Sequence, residues 1–189
     1  MTIAELTPPL GEPLTLAEVK VHLRLDGTGE DIILQDLIRC ARDHLERETG
    51  LALLTRTFRL YLDQWPQAQV IQIAKGPVQT IEQITVYDEA GLPAEIDTGQ
   101  MMLDGQVLPA RLALTLRPDP GRALNGIEID FTAGFGPTGA DVPDTLKRAM
   151  LLHLALLYEF RGAVPPGDQP AAVPAGYDRL IAPFRIRRL

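Results

Sequence analysis

Hydrophobic spacing in the first fifty residues predicts two amphipathic helices. Thr15 and Glu18 are spaced as a capping box, in which each side chain accepts a hydrogen bond from the main-chain amide of the other residue. The short helix that follows is expected to end near residues 25–27. A second helix is predicted after it, with Gly50 as its C-terminal cap. Its apolar stripe, at helical spacing, consists of Ile33, Leu34, Leu37, Ile38, Ala41 and Leu45.

From Leu51 the spacing of apolar residues changes from helical to alternating. Phe58, Leu60 and Leu62 alternate with more polar neighbours, which is typical of a half-buried strand. Further strands are predicted over residues 70–73, 81–87, 112–116 and 127–132, separated by Gly, Pro, Asn and Asp. The pair Asp104-Gly105 is expected to form a type I′ hairpin turn. The centre of the chain is therefore predicted to be an antiparallel β region of several short strands.

A long apolar helix is predicted after the β region. It begins near Pro143, a residue suited to the start of a helix, and ends at Gly162. Between residues 149 and 160, only His153 and Glu159 can carry a charge near neutral pH. A helix that is apolar almost all round is expected to be enclosed by other protein on most sides. The predicted fold class is α+β.

The last part of the chain differs in composition from the rest. Residues 163–176 contain four prolines and two glycines, so they are expected to form an extended strap. Residues 177–189 regain apolar character and are expected to form an extended C-terminal arm that docks on a partner. The predicted organisation is one α+β domain over residues 1–162, followed by the strap and the arm.

Composition and charge narrow the possible functions. With 46% hydrophobic and 23% charged residues, a chain of 189 residues is typical of one globular domain. A net charge of −7 argues against nucleic-acid binding, because phosphate contacts require clustered Lys and Arg. The charge is uneven: the last 13 residues hold four Arg and one Asp, so the remainder carries −10. The basic end is either a partner contact or an ordinary solvated terminus.

Compartment and membrane signals are few. Cys40 is the only cysteine, which rules out an intramolecular disulfide and favours a reducing compartment. The N-terminus lacks the basic region and apolar run of a signal peptide. We expect neither secretion through that route nor a membrane span, because no run reaches the about 18 apolar residues required.

The residues do not predict a catalytic, cofactor or metal site. His22, His44 and His153 lie on three different predicted helices, and none has a second ligand at metal-binding spacing. The sequence Gly134-Phe135-Gly136 is better interpreted as a tight strand exit than as a phosphate-binding loop. Glu128 and Asp130 share one face of a strand, and we interpret them as its solvent face rather than as paired acids of a glycosidase.

Several short motifs follow one another along the chain: Leu14 to Asp26, Glu48-Thr49-Gly50, Gly76-Pro77-Val78, Tyr87-Asp88, Phe131 to Gly136 and Val142 to Gly162. Taken in this order, they resemble the head-tail connector (adaptor) family of long-tailed phages and gene transfer agents. The resemblance covers nearly the whole chain.

The resemblance implies a structural, non-enzymatic protein of the virion neck. Such a protein would form a ring, expected to be a dodecamer, under the portal protein. It would extend the DNA channel without sequence-specific DNA binding and meet a stopper or tail protein below. The resemblance implies no cofactor, metal or membrane. The particle would be assembled in the bacterial cytoplasm.

The resemblance also suggests which residues make the contacts. In such adaptors the C-terminal segment engages the portal, so the arm supplies the expected contacts. The expected portal-binding residues are Leu180, Ile181, Phe184, Arg185, Ile186, Arg187, Arg188 and Leu189. The late helix is expected to supply part of the contact between copies. The expected subunit-interface residues are Arg148, Leu152, His153 and Glu159.

Two other functions stay open at this point. A stopper or tail-completion protein would share the composition and the ring-forming habit, and contact only with tail components would distinguish it from an adaptor. A small hydrolase is the remote alternative, because it would need a pocket that pairs a nucleophile with a base.

Overall fold

A computed structural model describes residues 1–160 and 173–185 of the chain. Residues 186–189 of the predicted arm and most of the predicted strap lie outside the described residues. The described helices are α1 (Leu16–Leu23), α2 (Asp31–Thr49), α3 (Asp144–Glu159) and α4 (Ala175–Ile181). The described strands are β1 (Thr2–Glu5), β2 (Arg56–Leu62), β3 (Val70–Ile73), β4 (Val78–Tyr87), β5 (Pro93–Glu95), β6 (Met102–Asp104), β7 (Ala110–Ala113) and β8 (Ile127–Ala133). The α+β prediction is confirmed.

The chain divides into two compact units that alternate along the sequence. The sheet unit comprises Met1–Pro9 and Gly50–Phe135 and holds every described strand. The helical unit comprises Leu10–Thr49 and the described residues of Gly136–Leu189, and it holds α1 to α4. That residues 1–162 form one folding domain stays a prediction.

Two antiparallel sheets build the sheet unit. The first has the strand order β1-β2-β8-β4-β5, and the second has the order β3-β7-β6. Burial alternates along β2 and β8, as the period-two pattern predicts. Phe58 and Phe131 are paired across these strands, and their rings stack with centroids 5.6 Å apart in the core. Strand β1 was not predicted, because Thr2–Glu5 has a single large apolar residue, whereas the equally short β3 has three.

The predicted type I′ turn at Asp104-Gly105 is wrong. Asp104 pairs with Arg111, so the connection from β6 to β7 is longer than two residues, and Gly105 lacks the positive φ that this turn requires. Gly105 instead lies close to the main chain of Val78. A Cβ on Gly105 would lie 2.0 Å from the carbonyl oxygen of Val78, so the approach of two backbones explains this residue.

Local sequence signals set the ends of the helices. The amide of Thr15 donates to the Glu18 carboxylate at 2.7 Å and the amide of Glu18 donates to the Thr15 hydroxyl at 3.2 Å, which confirms the capping box. The first helix ends at Leu23, slightly earlier than predicted, because Arg24 adopts a left-handed conformation. After α2, Gly50 has φ +76°, as expected of a C-terminal cap.

The C-terminal segment contains a helix that the sequence analysis did not predict. Residues 175–181 form α4 where an extended arm was expected, and a single 3-10 turn over residues 182–184 follows. Helix α4 packs on α3 within the helical unit. None of the described helices combines the length and the hydropathy needed to span a bilayer.

Candidate interaction surface

Helix α3 carries the residues that were predicted to join copies of the chain. Arg148, Leu152 and Glu159 are separated by four and seven positions, so they share one face of the helix. Arg148 and Glu159 are exposed, and Leu152 is half-buried. His153 is turned towards the interior and is only 8% exposed. The structure therefore brings three of the four predicted residues together and places the fourth in the core.

The apolar surface of α3 is only partly used inside the helical unit. Helices α1, α2 and α4 pack on α3, and its fully enclosed apolar residues include Leu146, Met150 and Leu154. Leu152 and Leu156 remain half-buried one turn apart, and Phe160 just beyond the helix is 39% exposed. Packing within the helical unit thus encloses α3 on most sides but leaves one strip of it only partly covered. We call Arg148, Leu152, Leu156 and Glu159 the α3 strip.

Three aromatic rings meet where α2, α3 and α4 pack together. The ring of His153 lies 4.5 Å from that of His44 and 5.5 Å from that of Tyr177, measured between centroids. Tyr177 is fully buried. Among the described residues, neither Nδ1 of His153 nor the hydroxyl of Tyr177 has a hydrogen-bond partner. This arrangement therefore buries two polar atoms without satisfying them.

Burial controls the ionisation of this cluster. It lowers the pKa of His153 to about 4, with a smaller contribution from the neighbouring His44. Burial also raises the pKa of Tyr177, and the Glu48 carboxylate acts in the same direction. Both side chains are therefore neutral at pH 7 in the folded chain.

The buried histidine predicts an acid-sensitive helical unit. Its pKa is about 4 when folded and about 6.5 when unfolded, so the unfolded chain binds the proton first as the pH falls. We expect the free energy of unfolding to be unaffected by this group above pH 6.5. It should decrease by about 2–3 kcal/mol between pH 6.5 and pH 4.

Denaturation at several pH values, followed by circular dichroism of the helices, checks this prediction. A His153→Leu variant should lose most of the decrease. A smaller slope should remain, because burial and the nearby Arg148 also lower the pKa of His22. Equal slopes in the variant and the parent chain would contradict the assignment to His153.

The structure separates the predicted portal-binding residues into two groups. Leu180, Phe184 and Arg185 are half-exposed, whereas Ile181 is fully buried against the helical unit. Arg185 contacts the carboxylates of Glu48 at 3.0 Å and Asp178 at 2.8 Å. Ile186, Arg187, Arg188 and Leu189 lie outside the described residues. Ile181 is thus an internal packing residue here.

Sequence reasoning missed Tyr177 as the main anchor of α4. A signal for it was present, because Tyr177, Ile181 and Phe184 follow the i, i+4, i+7 spacing of one helix face. The prolines and glycines just before these residues favoured an extended arm instead.

The acidic pair on β8 has a structural partner in the sheet unit. Arg59 makes two hydrogen bonds to the carboxylate of Asp130, at 2.6 Å and 2.8 Å, and contacts Glu128 at 2.8 Å. The hydrogen bonds to Asp130 raise the pKa of Arg59. These acids therefore hold a cross-strand ion pair, and with side chains only 13% and 16% exposed they lie on a half-buried face of the strand rather than on the predicted solvent face.

Two features of the described part of the chain bear on metal and catalytic chemistry. No group of three or more His, Cys, Asp or Glu residues is placed there to hold a metal ion. An open depression of about 540 Å³ lies beside β6 and β7, and its hydroxyl group, on Thr115, donates to the main-chain carbonyl of Gln100. This depression has no histidine or carboxylate in its lining that could act as a base.

Comparisons with known proteins agree with the resemblance noticed in the sequence. The profile of the family described as "Phage gp6-like head-tail connector protein" matches residues 13–107. No curated protein sequence matches the chain.

Solved structures of gene transfer agent (GTA) particles are similar over the entire chain. A chain from the virion of a native GTA particle has a TM-score of 0.82 and 32% identity, with 100% of this chain and 97% of that chain covered. A chain from the neck of an empty GTA particle, computed with C6 symmetry, has a TM-score of 0.82 and 31% identity at the same coverage. A chain from the neck of a native particle, computed with C12 symmetry, has a TM-score of 0.81 and 31% identity, again at that coverage.

Proposed function

The chain belongs to the phage gp6-like head-tail connector family, and from this premise we propose that it forms a ring under a portal protein and joins capsid to tail. Its role as a structural neck protein follows from the family and from its likeness to GTA neck chains. The observation that carries the proposal is a match over 100% of this chain to a chain in a neck computed with C12 symmetry. We propose a structural role rather than a catalytic one.

The α3 strip supports ring formation as part of the contact between neighbouring copies. In a ring, each copy uses two different surfaces, so a patch need not be self-complementary. The strip places half-buried Leu152 and Leu156 between the exposed charges of Arg148 and Glu159. An apolar centre with a polar rim is typical of protein interfaces. We propose that twelve copies close the ring through this strip and a second surface on the neighbour.

The C-terminal segment is the proposed contact with the portal. Leu180, Phe184 and Arg185 retain exposed surface, and Arg187 and Arg188 add positive charge to the end of the sequence. Repeated around a ring, even a weak contact per copy would give firm attachment. The face opposite the portal would meet a stopper or tail protein. The particle would be assembled in the bacterial cytoplasm.

The acidic composition supports a role as a conduit for DNA. Residues 1–176 carry a net charge of −10, because their acids outnumber their Lys and Arg, so on balance they repel phosphates. DNA would therefore pass through the ring without sequence-specific binding and with little adhesion. An assembled channel lined by Arg and Lys would contradict this part of the proposal.

Removing residues 186–189 provides the sharpest test of portal attachment. A deletion of residues 177–189 would also remove the buried Tyr177 and Ile181, so it would disturb the packing of the helical unit as well as the portal contact. The shorter deletion leaves α4 in place. We expect it to weaken binding to the portal protein at least about tenfold, because two of the segment's four arginines are lost.

Pull-down with the portal protein and electron microscopy of the mixture measure the result. An Arg111→Ala variant is the control, because it removes one exposed arginine from the sheet unit. Unchanged portal binding by the shortened chain would contradict the assignment. The absence of rings in the presence of portal would contradict the proposed function as a whole.

A further inference from the structure

Helix α4 covers part of the α3 strip in the free subunit. Gly176 lies over Leu152, so that a Cβ on the glycine would be 3.5 Å from Cδ1 of the leucine. The next residue, Tyr177, packs its ring against the neighbouring His153. A second copy that binds Leu152 would therefore meet α4 at the same place. Docking of α4 and contact between subunits compete for this residue.

The packing of α4 is incomplete in a way that favours release. Burial of Tyr177 and Ile181, both fully enclosed, favours docking. The same contact leaves the Tyr177 hydroxyl and Nδ1 of His153 buried without a partner among the described residues. Each of these atoms could bind water if α4 moved away, so each opposes docking. The contact between α4 and α3 thus buries enough apolar surface to form, while its two unpaired polar atoms favour its opening.

The ion pair that joins the end of α4 to α2 is weak. Arg185 contacts Glu48 of α2, but the two side chains are 38% and 43% exposed, so solvent screens the pair, and the pair of Arg185 with Asp178 lies within the C-terminal segment. The helix has only seven residues, and a helix of that length is not stable in isolation. It is therefore expected to unwind when it leaves α3.

We propose that α4 is a reversible latch that covers the α3 strip in the free subunit and is released when the C-terminal segment binds its partner. This inference rests on the proposed function. A partner that binds only the released segment shifts the equilibrium towards the open form. The uncovered strip then accepts the next copy, so that the ring forms on its template and not in free solution.

Hydrogen exchange of the purified subunit tests whether α4 opens. We expect the amides of α4 to exchange at least about 100-fold faster than those of α3 near Met150. Tyr177→Phe removes the unpaired hydroxyl and keeps the ring, so it should slow exchange in α4 by about tenfold. Equal protection of the two helices, or no slowing by Tyr177→Phe, would overturn the latch.

Sedimentation of variants tests whether the latch limits assembly. Tyr177→Ala removes the anchor and should strengthen self-association at least about tenfold, whereas Arg179→Ala, on the exposed side of the same helix, should not. Adding Arg148→Glu to Tyr177→Ala should reverse the gain. A Tyr177→Ala chain that self-associates no more than the parent, or that loses more helical signal than the seven residues of α4 account for, would overturn the proposal.

These outcomes can be separated from failure of the proposed function. If Arg148→Glu prevents rings on the portal while Tyr177→Ala has no effect on self-association, the ring contact stands and the latch is wrong. If neither the parent chain nor any variant forms rings with the portal, the proposed function itself is wrong.

Discussion

Replacing Gly134 by alanine should destabilise the sheet unit by about 3 kcal/mol or more. Gly134 follows β8 with φ +142°, a conformation that residues with a Cβ rarely adopt. The added Cβ would also lie 2.5 Å from the backbone N and Cα of Thr55, so the backbone of one segment would have to move. The large loss is expected because the chain leaves β8 in a tight turn at this glycine, as the sequence predicts, and the turn has no room for a Cβ.

Urea denaturation followed by the fluorescence of Trp65 measures this effect. Trp65 is the only tryptophan, lies in the sheet unit and donates from its indole nitrogen to the carbonyl of Pro118 at 2.7 Å. Gly91→Ala is the matched control, because Gly91 has φ +78° but has no atom within 4 Å of the added Cβ. The control should lose only about 1 kcal/mol. Similar losses in both variants would show that close approach to Thr55 is unimportant.

Replacing Arg59 by methionine should cost about 2–3 kcal/mol of stability in the sheet unit. The side chains of Asp130 and Glu128 are only 16% and 13% exposed, and both contact the Arg59 guanidinium. Without the arginine, two neighbouring carboxylates would remain largely removed from water with no cation between them. Methionine retains the apolar stem of the side chain, so the loss of charge dominates the result.

Arg111→Met provides a control with the same chemistry on a different sheet. Arg111 also faces an aspartate across two strands, but it lies 3.9 Å from Asp104, and the two side chains are 60% and 48% exposed. Its loss should cost less than about 1 kcal/mol. Adding Asp130→Asn and Glu128→Gln to the Arg59 variant should recover more than half of its loss. Equal effects of the two arginine substitutions would contradict the role of burial.

If the latch operates as proposed, the structure of the free subunit makes portal binding come before contact between copies. The buried ring of Tyr177 anchors α4, so that Gly176 covers part of Leu152, and the portal would remove that cover by binding the residues around Arg185. Closure of the ring only on the portal would then follow from the unpaired polar atoms in the contact between α4 and α3.

The sequence alone determined the helices and strands that are specified by residues close together in the chain. The capping box at Thr15, the stripe of α2 and the alternation in β2 depend on neighbouring residues, and the structure contains each of them. The motifs were also sufficient to identify the connector family, because a family is recognised from the order of residues along the chain and not from the packing of distant segments.

Only the tertiary structure decided which of these residues remain available to a partner. His153 and Ile181 have the residue types and spacing of surface anchors, yet packing between α2, α3 and α4 encloses both of them. Gly105 follows an aspartate, as in many turns, yet the position needs glycine because the backbone of Val78, 27 residues earlier, leaves no room for a Cβ. Burial and close approach depend on contacts between residues far apart in the chain, and periodicity within one segment does not contain that information.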